Sequence, residues 1–247
     1  MMRATCVMVG LALILAGGAG ARAEEDRSDS DPWEGFNRAI FTFNDAADRW
    51  VIEPVAKGYD VIAPDPLQRC FANFFHNLRV PINGVNDLLQ GKPVDGASDV
   101  GRFVVNSTIG MAGFLDPATY FGLVRHDEDF GQTLGVWGVP QGPYLVLPLL
   151  GPSTVRDTGG RAVDAALTPT WYFLDTFITV SAAAAEMLNS RSLVLKEVQD
   201  SRAAALDFYS LIRNAYLQHR DAEVHDHGEI TRDTSDSLYY PDTEPAR

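Results

Sequence analysis

A charge-free stretch from Phe130 to Val155 constrains what this 247-residue chain can fold into more than any other feature. Glu128 and Asp129 precede its 26 positions, and Arg156 and Asp157 follow them. Such a length would suit a bilayer span, which needs about 20 consecutive apolar residues. The environment of this stretch therefore bears directly on what the protein does.

The composition of the stretch argues against a regular spanning helix. Nine glycines and prolines interrupt it, and each proline removes a backbone donor and clashes with the preceding turn. They are Gly131, Gly135, Gly138, Pro140, Gly142, Pro143, Pro148, Gly151 and Pro152. Non-helical backbone is tolerated at membrane depth only where protein or a water-filled cavity satisfies it. The stretch is either buried core or an irregular segment that enters one leaflet of a membrane without crossing both.

Residues 1–23 have the form of a secretory signal peptide. A basic start at Arg3 precedes an apolar run over residues 7–16, and Ala21-Arg22-Ala23 has the small-x-small pattern of a cleavage site. Cleavage is expected between Ala23 and Glu24. An uncleaved membrane anchor is the alternative, although the apolar run is short for a span.

The charge of the chain excludes two classes of partner. The net charge is −13, and loss of two arginines with the signal peptide makes the mature chain more acidic still. Nucleic acid binding needs a basic face, so no nucleic acid partner is expected. Attraction to anionic headgroups through a polybasic patch is excluded for the same reason. Membrane contact by this chain must therefore rest on burial of apolar surface.

The two cysteines indicate the compartment. Cys6 lies within the signal peptide, so Cys70 stands alone in the mature chain and no intramolecular disulfide is expected. Export without disulfides fits a bacterial periplasm, where a sizeable core makes cross-links unnecessary.

Hydrophobic periodicity predicts a mainly α fold in one domain over residues 31–220. Asp31 and Pro32 are favoured at a helix start, and an apolar stripe follows at helical spacing up to Pro54, where the helix is expected to end. Further helices are predicted over residues 67–78, 82–89, 95–109, 154–166 and 193–219, with a bend or stop at Pro81. Residues 24–30 form an acidic leader. Residues 221–247 are expected to be a disordered acidic tail.

The motifs of common catalytic and metal centres are absent from the sequence. There is no GxSxG elbow, HExxH helix, CxxC pair or phosphate-binding glycine loop. Ser153 with His126 is the one nucleophile–base pair that could be suggested, and Ser153 is expected instead to cap the following helix. Residues 126–129 (HDED) are adjacent in a predicted loop, and adjacent loop residues seldom converge on one ion. His225 and His227, in the predicted tail, would bind a metal only weakly. Neither a metal centre nor a cofactor is expected.

Uncharged amides recur inside the apolar helices. Asn37 and Asn44 fall on the first helix, Asn73 and Asn77 on the second, and Asn106 on the fourth. Amides can hydrogen-bond between helices in a low-dielectric setting more readily than charges can. These amides either satisfy their hydrogen-bonding groups between helices, or they form the polar lining on one side of a structure that is apolar on the other.

Seven segments resemble the MlaA (VacJ) family over about residues 31–221. They are DPWEGFNRAIFTFN (31–44), NFFHNL with Pro81 (73–81), LLQGKP (88–93), RFVVNSTIGMAGFLDPA (102–118), EDFGQTLGVWGV (128–139), GPYLVLPLLGPSTVRDTGG (142–160) and RNAYLQHRD (213–221). The segments are long and occur in order.

The resemblance implies a ring-like bundle of amphipathic helices in the periplasmic leaflet of the Gram-negative outer membrane. Members of the family remove mislocalised phospholipid from the outer leaflet through an amphipathic channel. They pass it to a soluble periplasmic carrier, and they associate with trimeric porins. The resemblance implies no covalent chemistry, so the protein is not expected to be an enzyme.

These expectations assign two groups of residues. A channel lining is predicted for Asn37, Asn44, Asn73, Asn77, Asn106 and Tyr144. Membrane contact is predicted for Trp33, Phe36, Ile40, Phe43, Trp50 and Trp137. A cell-envelope lipid hydrolase and a purely structural porin-associated protein remain the alternative functions.

One departure from the family concerns anchoring. Proteins of the family typically carry a cysteine directly after the apolar run of the signal, and here Cys6 precedes that run. Retention in the outer membrane is expected without acylation, because a single acyl chain contributes only marginal membrane affinity.

Overall fold

The structure is a computed structural model that describes residues 31–168 and 170–225. The predicted signal peptide, the acidic leader and residues 226–247 of the predicted tail lie outside the described residues. Helices dominate the described part, and its sheet has two strands. The prediction of a mainly α fold is confirmed.

The elements follow one another in this order along the chain. They are α1 (Glu34–Ala47), a π-helical turn (Asp48–Ile52), α2 (Glu53–Ile62), α3 (Asp65–Leu89), α4 (Pro93–Thr108), α5 (Pro117–Tyr120), α6 (Phe130–Val136), β1 (Tyr144–Leu147), β2 (Gly151–Thr154), α7 (Val155–Leu167), α8 (Thr170–Phe173), α9 (Thr176–Leu193), α10 (Leu195–Ala204) and α11 (Phe208–Val224). Helices α3 and α4 form the most extensive helix pair; α9 packs on α2 and α3, and α11 packs on α6 and β2.

The prediction that Pro54 ends the first helix is wrong. The chain stays helical from Glu34 to Ile62, because the π-helical turn shifts the hydrogen-bond register and Glu53 N donates to Asp48 O. Pro54 then falls in the first turn of α2, a position where a helix tolerates proline.

Two other predicted boundaries differ from the structure. Helix α3 runs through Pro81 without ending, with the proline on its exposed face and the opposite face packed on α4 and α9. The single helix predicted over residues 193–219 is two helices, α10 and α11, which residues 205–207 separate; Ala205 and Asp207 have extended backbone. Helix α11 also continues to Val224, four residues into the segment predicted to be disordered.

The charge-free stretch folds as a short helix and a hairpin. Its first part is α6, and residues 144–154 contain the antiparallel pair β1–β2. Tyr144 pairs with Thr154 and Leu147 with Gly151. The turn between them holds Leu149 at a φ of 59°, the left-handed region.

The core is small and aromatic. Tyr144 and Val146 of β1 pack with Tyr209 and Tyr216 of α11, and Phe41 of α1 meets Tyr209 edge to face at 5.4 Å. A hairpin of this size is marginal alone, so its position depends on the two helices that enclose it.

Candidate membrane-contact surface and polar interior

Helix α1 presents aromatic side chains to its surroundings. Trp33, Phe36 and Phe43 are each about half exposed, and Trp50 in the π-helical turn is 83% exposed. Ile40 differs, because it is partly buried against the Tyr144–Tyr209–Tyr216 cluster. The predicted stripe therefore divides into an exposed set and one residue that anchors α1 to the core.

The exposed apolar surface continues over most of the other elements. Val61 and Ile62 end α2 at more than four-fifths exposure, and Trp137 is about half exposed after α6. The same surface includes Val55, Leu67, Leu88, Val94, Val100, Phe103, Val104, Ile109, Met111, Tyr120, Phe121, Val124, Val136, Leu149 and Val155. Soluble monomers rarely expose large contiguous apolar patches, so this number of exposed apolar side chains favours contact with lipid or protein.

A second aromatic group lies on α8 and the first turn of α9. Phe173 is 84% exposed, and Tyr172 and Phe177 are nearly as accessible. Trp171 is 40% exposed. This group adds to the exposed aromatic side chains found on α1.

The interior has the opposite character. Among the described residues, 13 hydrophobic and 30 polar or charged residues are buried. A soluble core buries mainly apolar residues and keeps charged ones outside unless they are paired. Here the distribution is close to inverted, as it would be for a protein whose exterior meets an apolar solvent.

Two asparagines of α1 hold the hairpin. The Asn37 amide donates to Tyr144 O at 3.0 Å and to Asp31 Oδ1 at 2.7 Å, and its oxygen accepts from Val146 N at 2.9 Å. Asn44 repeats the arrangement at the hairpin turn, donating to Leu147 O at 2.9 Å and accepting from Leu149 N at 2.7 Å. These amides pair with backbone N–H and C=O groups along β1 and its turn, as a third strand would.

The other predicted lining residues lie elsewhere. Asn77 donates to Ser107 Oγ at 2.9 Å across the α3–α4 pair. Asn106 donates to Asp116 Oδ1 at 2.8 Å and accepts from Ala118 N at 3.0 Å. Tyr144 has no exposed surface, whereas Asn73 is half-buried.

Hydrogen bonds thus give Asn37, Asn44, Asn77 and Asn106 a structural role. Four of the six predicted lining residues are buried, namely Asn37, Asn77, Asn106 and Tyr144. They present little or no surface and form no common wall in this conformation. A lining role for the set remains a prediction.

Arg220 of α11 joins the two ends of the charge-free stretch, because it pairs with Asp129 before the stretch and with Asp157 after it. Its guanidinium donates to both carboxylate oxygens of Asp129, at 2.9 and 3.0 Å, and to both oxygens of Asp157, at 2.9 and 3.2 Å. Tyr216 donates to Asp157 Oδ2 at 2.6 Å. Burial alone would raise the pKa of Asp157, but the charge and hydrogen bonds of Arg220 outweigh it and hold that pKa well below its usual range.

A further ion cluster surrounds the π-helical turn. Arg191 of α9 donates to both oxygens of Asp48, at 2.8 and 3.0 Å, and Arg202 of α10 reaches Asp48 and Glu53. Together these bonds attach the α1–α2 segment to two later helices. Buried charges need such pairing, because an isolated ion is strongly disfavoured in an apolar interior.

Three ligand-type side chains from separate elements meet near the α3–α4 turn. Asp87, Asp99 and His126 are all buried, and one ligand atom from each lies within 4.8 Å of the others. Asp99 Oδ1 is 2.9 Å from His126 Nδ1. Burial and the neighbouring Asp99 and Glu128 carboxylates raise the pKa of Asp87 to about 7. Sequence spacing points to His126 but not to the two aspartates, because these are 39 and 27 residues earlier in the chain.

The suggested nucleophile and base are committed to other partners. The Ser153 hydroxyl is fully buried and bonds to Thr158 Oγ1 at 3.0 Å and to Thr154 O at 3.3 Å, while the His126 imidazole faces Asp99 and Asp95. The predicted cap is also displaced by one residue, because Thr154 accepts from Asp157 N at the start of α7. The geometry does not support a Ser153–His126 hydrolase centre.

None of the helices in residues 31–168 and 170–225 has the length and apolarity to cross a membrane.

Comparison with known proteins decides the family. The family model described as "MlaA lipoprotein" matches residues 29–223. The chain belongs to the MlaA family.

Relatives within the MlaA family cover most of the chain. A Shigella flexneri protein named "Intermembrane phospholipid transport system lipoprotein MlaA" is 35% identical over 224 residues, which is 89% of this chain and 88% of that protein. The protein of the same name from Escherichia coli (strain K12) is 34% identical over the same shares. An uncharacterized protein of Rickettsia bellii (strain RML369-C) is 36% identical over 78% of this chain and 76% of its own length.

A solved structure has the MlaA fold in common with this chain. It is described as "Structural basis for maintenance of bacterial outer membrane lipid asymmetry", and it is 35% identical with a TM-score of 0.71. The match covers 79% of this chain and 99% of the solved chain.

Proposed function

We propose that this protein carries out intermembrane phospholipid transport that maintains the lipid asymmetry of the outer membrane. Membership of the MlaA family supports the proposal, as do the names of relatives that match nearly nine-tenths of the chain. The observation that carries it is the inverted distribution of side chains, with aromatics outside and charges inside. Such a molecule is suited to rest among acyl chains.

The protein works as a passive conduit, without a covalent step. The exposed aromatics of α1, α8 and α9 lie among lipid tails on the periplasmic side of the outer membrane. Because desolvating a phospholipid headgroup strongly disfavours its passage through apolar surroundings, the headgroup must follow polar groups. The conduit therefore uses a wet path between helices, arranged as a ring-like bundle.

Two partners complete the transport. A trimeric porin holds the conduit in the outer membrane and covers part of the exposed apolar surface, and a soluble periplasmic carrier receives the lipid. The extent of exposed hydrophobic surface supports contact with both lipid and protein. Retention needs no acyl chain, so osmotic release of periplasmic contents should leave the protein with the membrane.

The alternative functions make different predictions for the purified protein. Mass spectrometry of detergent-extracted protein should find intact co-purified phospholipid, and incubation with phospholipid should release no fatty acid. Release of fatty acid would support a hydrolase, and absence of bound lipid would support a purely structural porin partner.

Deletion of the gene tests the proposal in the cell. Surface labelling of phosphatidylethanolamine should rise in the deletion strain and return to its former level when the protein is expressed again. Unchanged labelling in the deletion strain would contradict the proposed function.

A further inference from the structure

Two carboxylates are buried side by side where α3 and α4 cross. A Cβ on Gly96 would lie 3.4 Å from Asp87 Cβ and from Gly84 O, and one on Gly84 would lie 3.9 Å from Asp99 Cβ. The two glycines therefore allow the helices to approach closely, and the approach sets Asp87 and Asp99 against each other. Both side chains are at most 1% exposed.

The oxygens of this pair lack hydrogen-bond donors. Neither Oδ1 nor Oδ2 of Asp87 has a hydrogen-bond partner, and Asp99 Oδ2 has none. A buried carboxylate oxygen ordinarily accepts at least one hydrogen bond. Three such oxygens at one crossing indicate that the site accepts something other than a protein donor.

An imidazole completes the group from a third element. His126 lies in the segment between α5 and α6, and its Nδ1 is 2.9 Å from Asp99 Oδ1. The Asn83 amide donates to His126 O at 2.9 Å and fixes that segment against α3. Asp95 Oδ1 lies 3.5 Å from His126 Nε2, and its side chain is 37% exposed, so it borders the approach from outside.

The local charge favours a cation. Asp87, Asp99 and Asp95 contribute carboxylates, and the nearby cations are engaged elsewhere: Lys92 with Glu128, and Arg102 with Asp116. An excess of buried negative charge is stable only with a cation or a proton.

We propose that Asp87, Asp99 and His126 form a binding site for one divalent transition metal ion, of the class of Zn²⁺ or Mn²⁺. Two carboxylates and one imidazole are a ligand set that such ions accept. In a tetrahedral Zn²⁺ site with Zn–N and Zn–O distances of about 2.1 Å, neighbouring ligand atoms lie about 3.3–3.6 Å apart. Because the three ligand atoms here lie within 4.8 Å of one another, the side chains must move together by about 1 Å to bind the ion.

The ion has a structural role at this position. It joins α3 and α4 to the segment that leads into α6, and therefore fixes the start of the charge-free stretch. Water would fill the remaining coordination positions on the side bordered by Asp95. The site stands on its own geometry and does not depend on the proposed transport function.

Metal uptake by the purified full-length protein tests this site. His225 and His227 are first replaced by alanine, because neighbouring histidines could bind metal weakly. After chelation and dialysis, Zn²⁺ or Mn²⁺ is titrated, and bound metal is measured by mass spectrometry with the thermal midpoint. The expected result is one equivalent bound and a midpoint raised by several degrees.

Variants separate this site from other sources of metal. Asp87→Asn and Asp99→Asn should each weaken uptake by at least about tenfold, because loss of supporting groups alone has that effect. Asp221→Asn removes an exposed carboxylate and should leave uptake unchanged. Without metal, Asp87→Asn should be at least as stable as its parent, because repulsion between two buried carboxylates is relieved.

A spectroscopic measurement covers the case in which these variants fail to fold. Co²⁺ bound to the parent protein should show imidazole and oxygen ligands without sulfur in X-ray absorption. Absence of uptake in the parent protein would overturn the proposal, as would uptake that both aspartate substitutions leave unchanged or a Co²⁺ site without imidazole.

Discussion

Gly160 of α7 lies directly against Gly131 of α6. A Cβ on Gly160 would come within 2.3 Å of Gly131 N and 2.6 Å of its Cα, closer than non-bonded atoms approach. A Cβ on Gly131 would in turn lie 2.9 Å from Arg220 Nη2 and from Asp157 Oδ1. The two glycines therefore let the helices at the two ends of the charge-free stretch meet at Arg220.

Replacing Gly160 should disrupt this crossing. Gly160→Ala is expected to lower the free energy of unfolding by at least about 1–3 kcal/mol, because the added methyl group meets backbone that cannot move aside. Gly159→Ala is the matched control, since nothing lies within 4 Å of its Cβ and alanine favours helix by about 0.5–1 kcal/mol. Thermal unfolding in detergent micelles checks both variants, and equal behaviour would contradict the close crossing.

Removing the Arg220 guanidinium should strongly destabilise the protein. Arg220→Met removes the cation that the buried Asp129 and Asp157 carboxylates share and leaves Arg156 to pair with Asp157; breaking a buried pair in this way costs about 3–5 kcal/mol. Arg49→Met is the comparison, because Arg49 is an exposed side chain whose pair with Asp45 is expected to contribute about 0–1 kcal/mol, and Arg202 still pairs with Asp45 in the variant. A similar loss in both variants, measured by denaturant unfolding, would argue against the assigned role.

Acid should weaken the protein through Asp157. The folded pKa of this carboxyl lies below the unfolded value, so its contribution is fully present above the unfolded pKa of about 4. It is lost as pH falls from there through the folded pKa. The thermal midpoint should therefore decline below about pH 4, and less steeply in Asp157→Asn after allowance for its lower starting stability. If the thermal midpoints of the two proteins fell in parallel with pH, Asp157 would not be a source of the acid sensitivity.

Asparagine substitutions distinguish interior support from channel lining. Asn106→Leu should lower stability by about 1–3 kcal/mol, because Ala118 N and the Asp116 carboxylate lose a buried partner. Asn73→Leu changes a half-buried amide and should leave stability nearly unchanged. Thermal midpoints and surface phospholipid labelling should be measured together. If Asn106→Leu kept full stability and lost only transport, a lining role would replace the structural one.

Phe41 shows why helix positions could be predicted while their surroundings could not. It directly follows Ile40 in the sequence and so lies off the apolar stripe of α1. In the structure its ring centroid is 5.4 Å from that of Tyr209 and 5.7 Å from that of Phe208. Both faces of α1 are apolar because one meets the core and the other faces outward. A sequence pattern records apolar faces without recording which solvent each one meets.

Proline positions show a second limit. Pro54 and Pro81 have the form of helix boundaries, yet a π-helical turn accommodates the first and an exposed helix face accommodates the second. Whether a helix ends at such a proline depends on the surrounding structure, and local propensity does not include that context.

The candidate metal site shows a third limit. In the sequence His126 is followed by the acidic residues 127–129. In the structure the carboxylates near its imidazole are instead those of Asp87 on α3 and Asp99 on α4. Spacing along one chain predicts ligands on one helix or loop; it does not predict which helices cross at glycines.

The surroundings of the exposed aromatics test the central claim most directly. All four tryptophans, Trp33, Trp50, Trp137 and Trp171, lie on the exposed apolar surface. Their fluorescence should be measured after reconstitution into bilayers of phospholipid brominated on the acyl chains. Blue-shifted emission with strong quenching by the brominated tails is expected, together with weak quenching by acrylamide in water. Emission typical of water that acrylamide quenches and brominated lipid does not would contradict an exterior embedded in lipid.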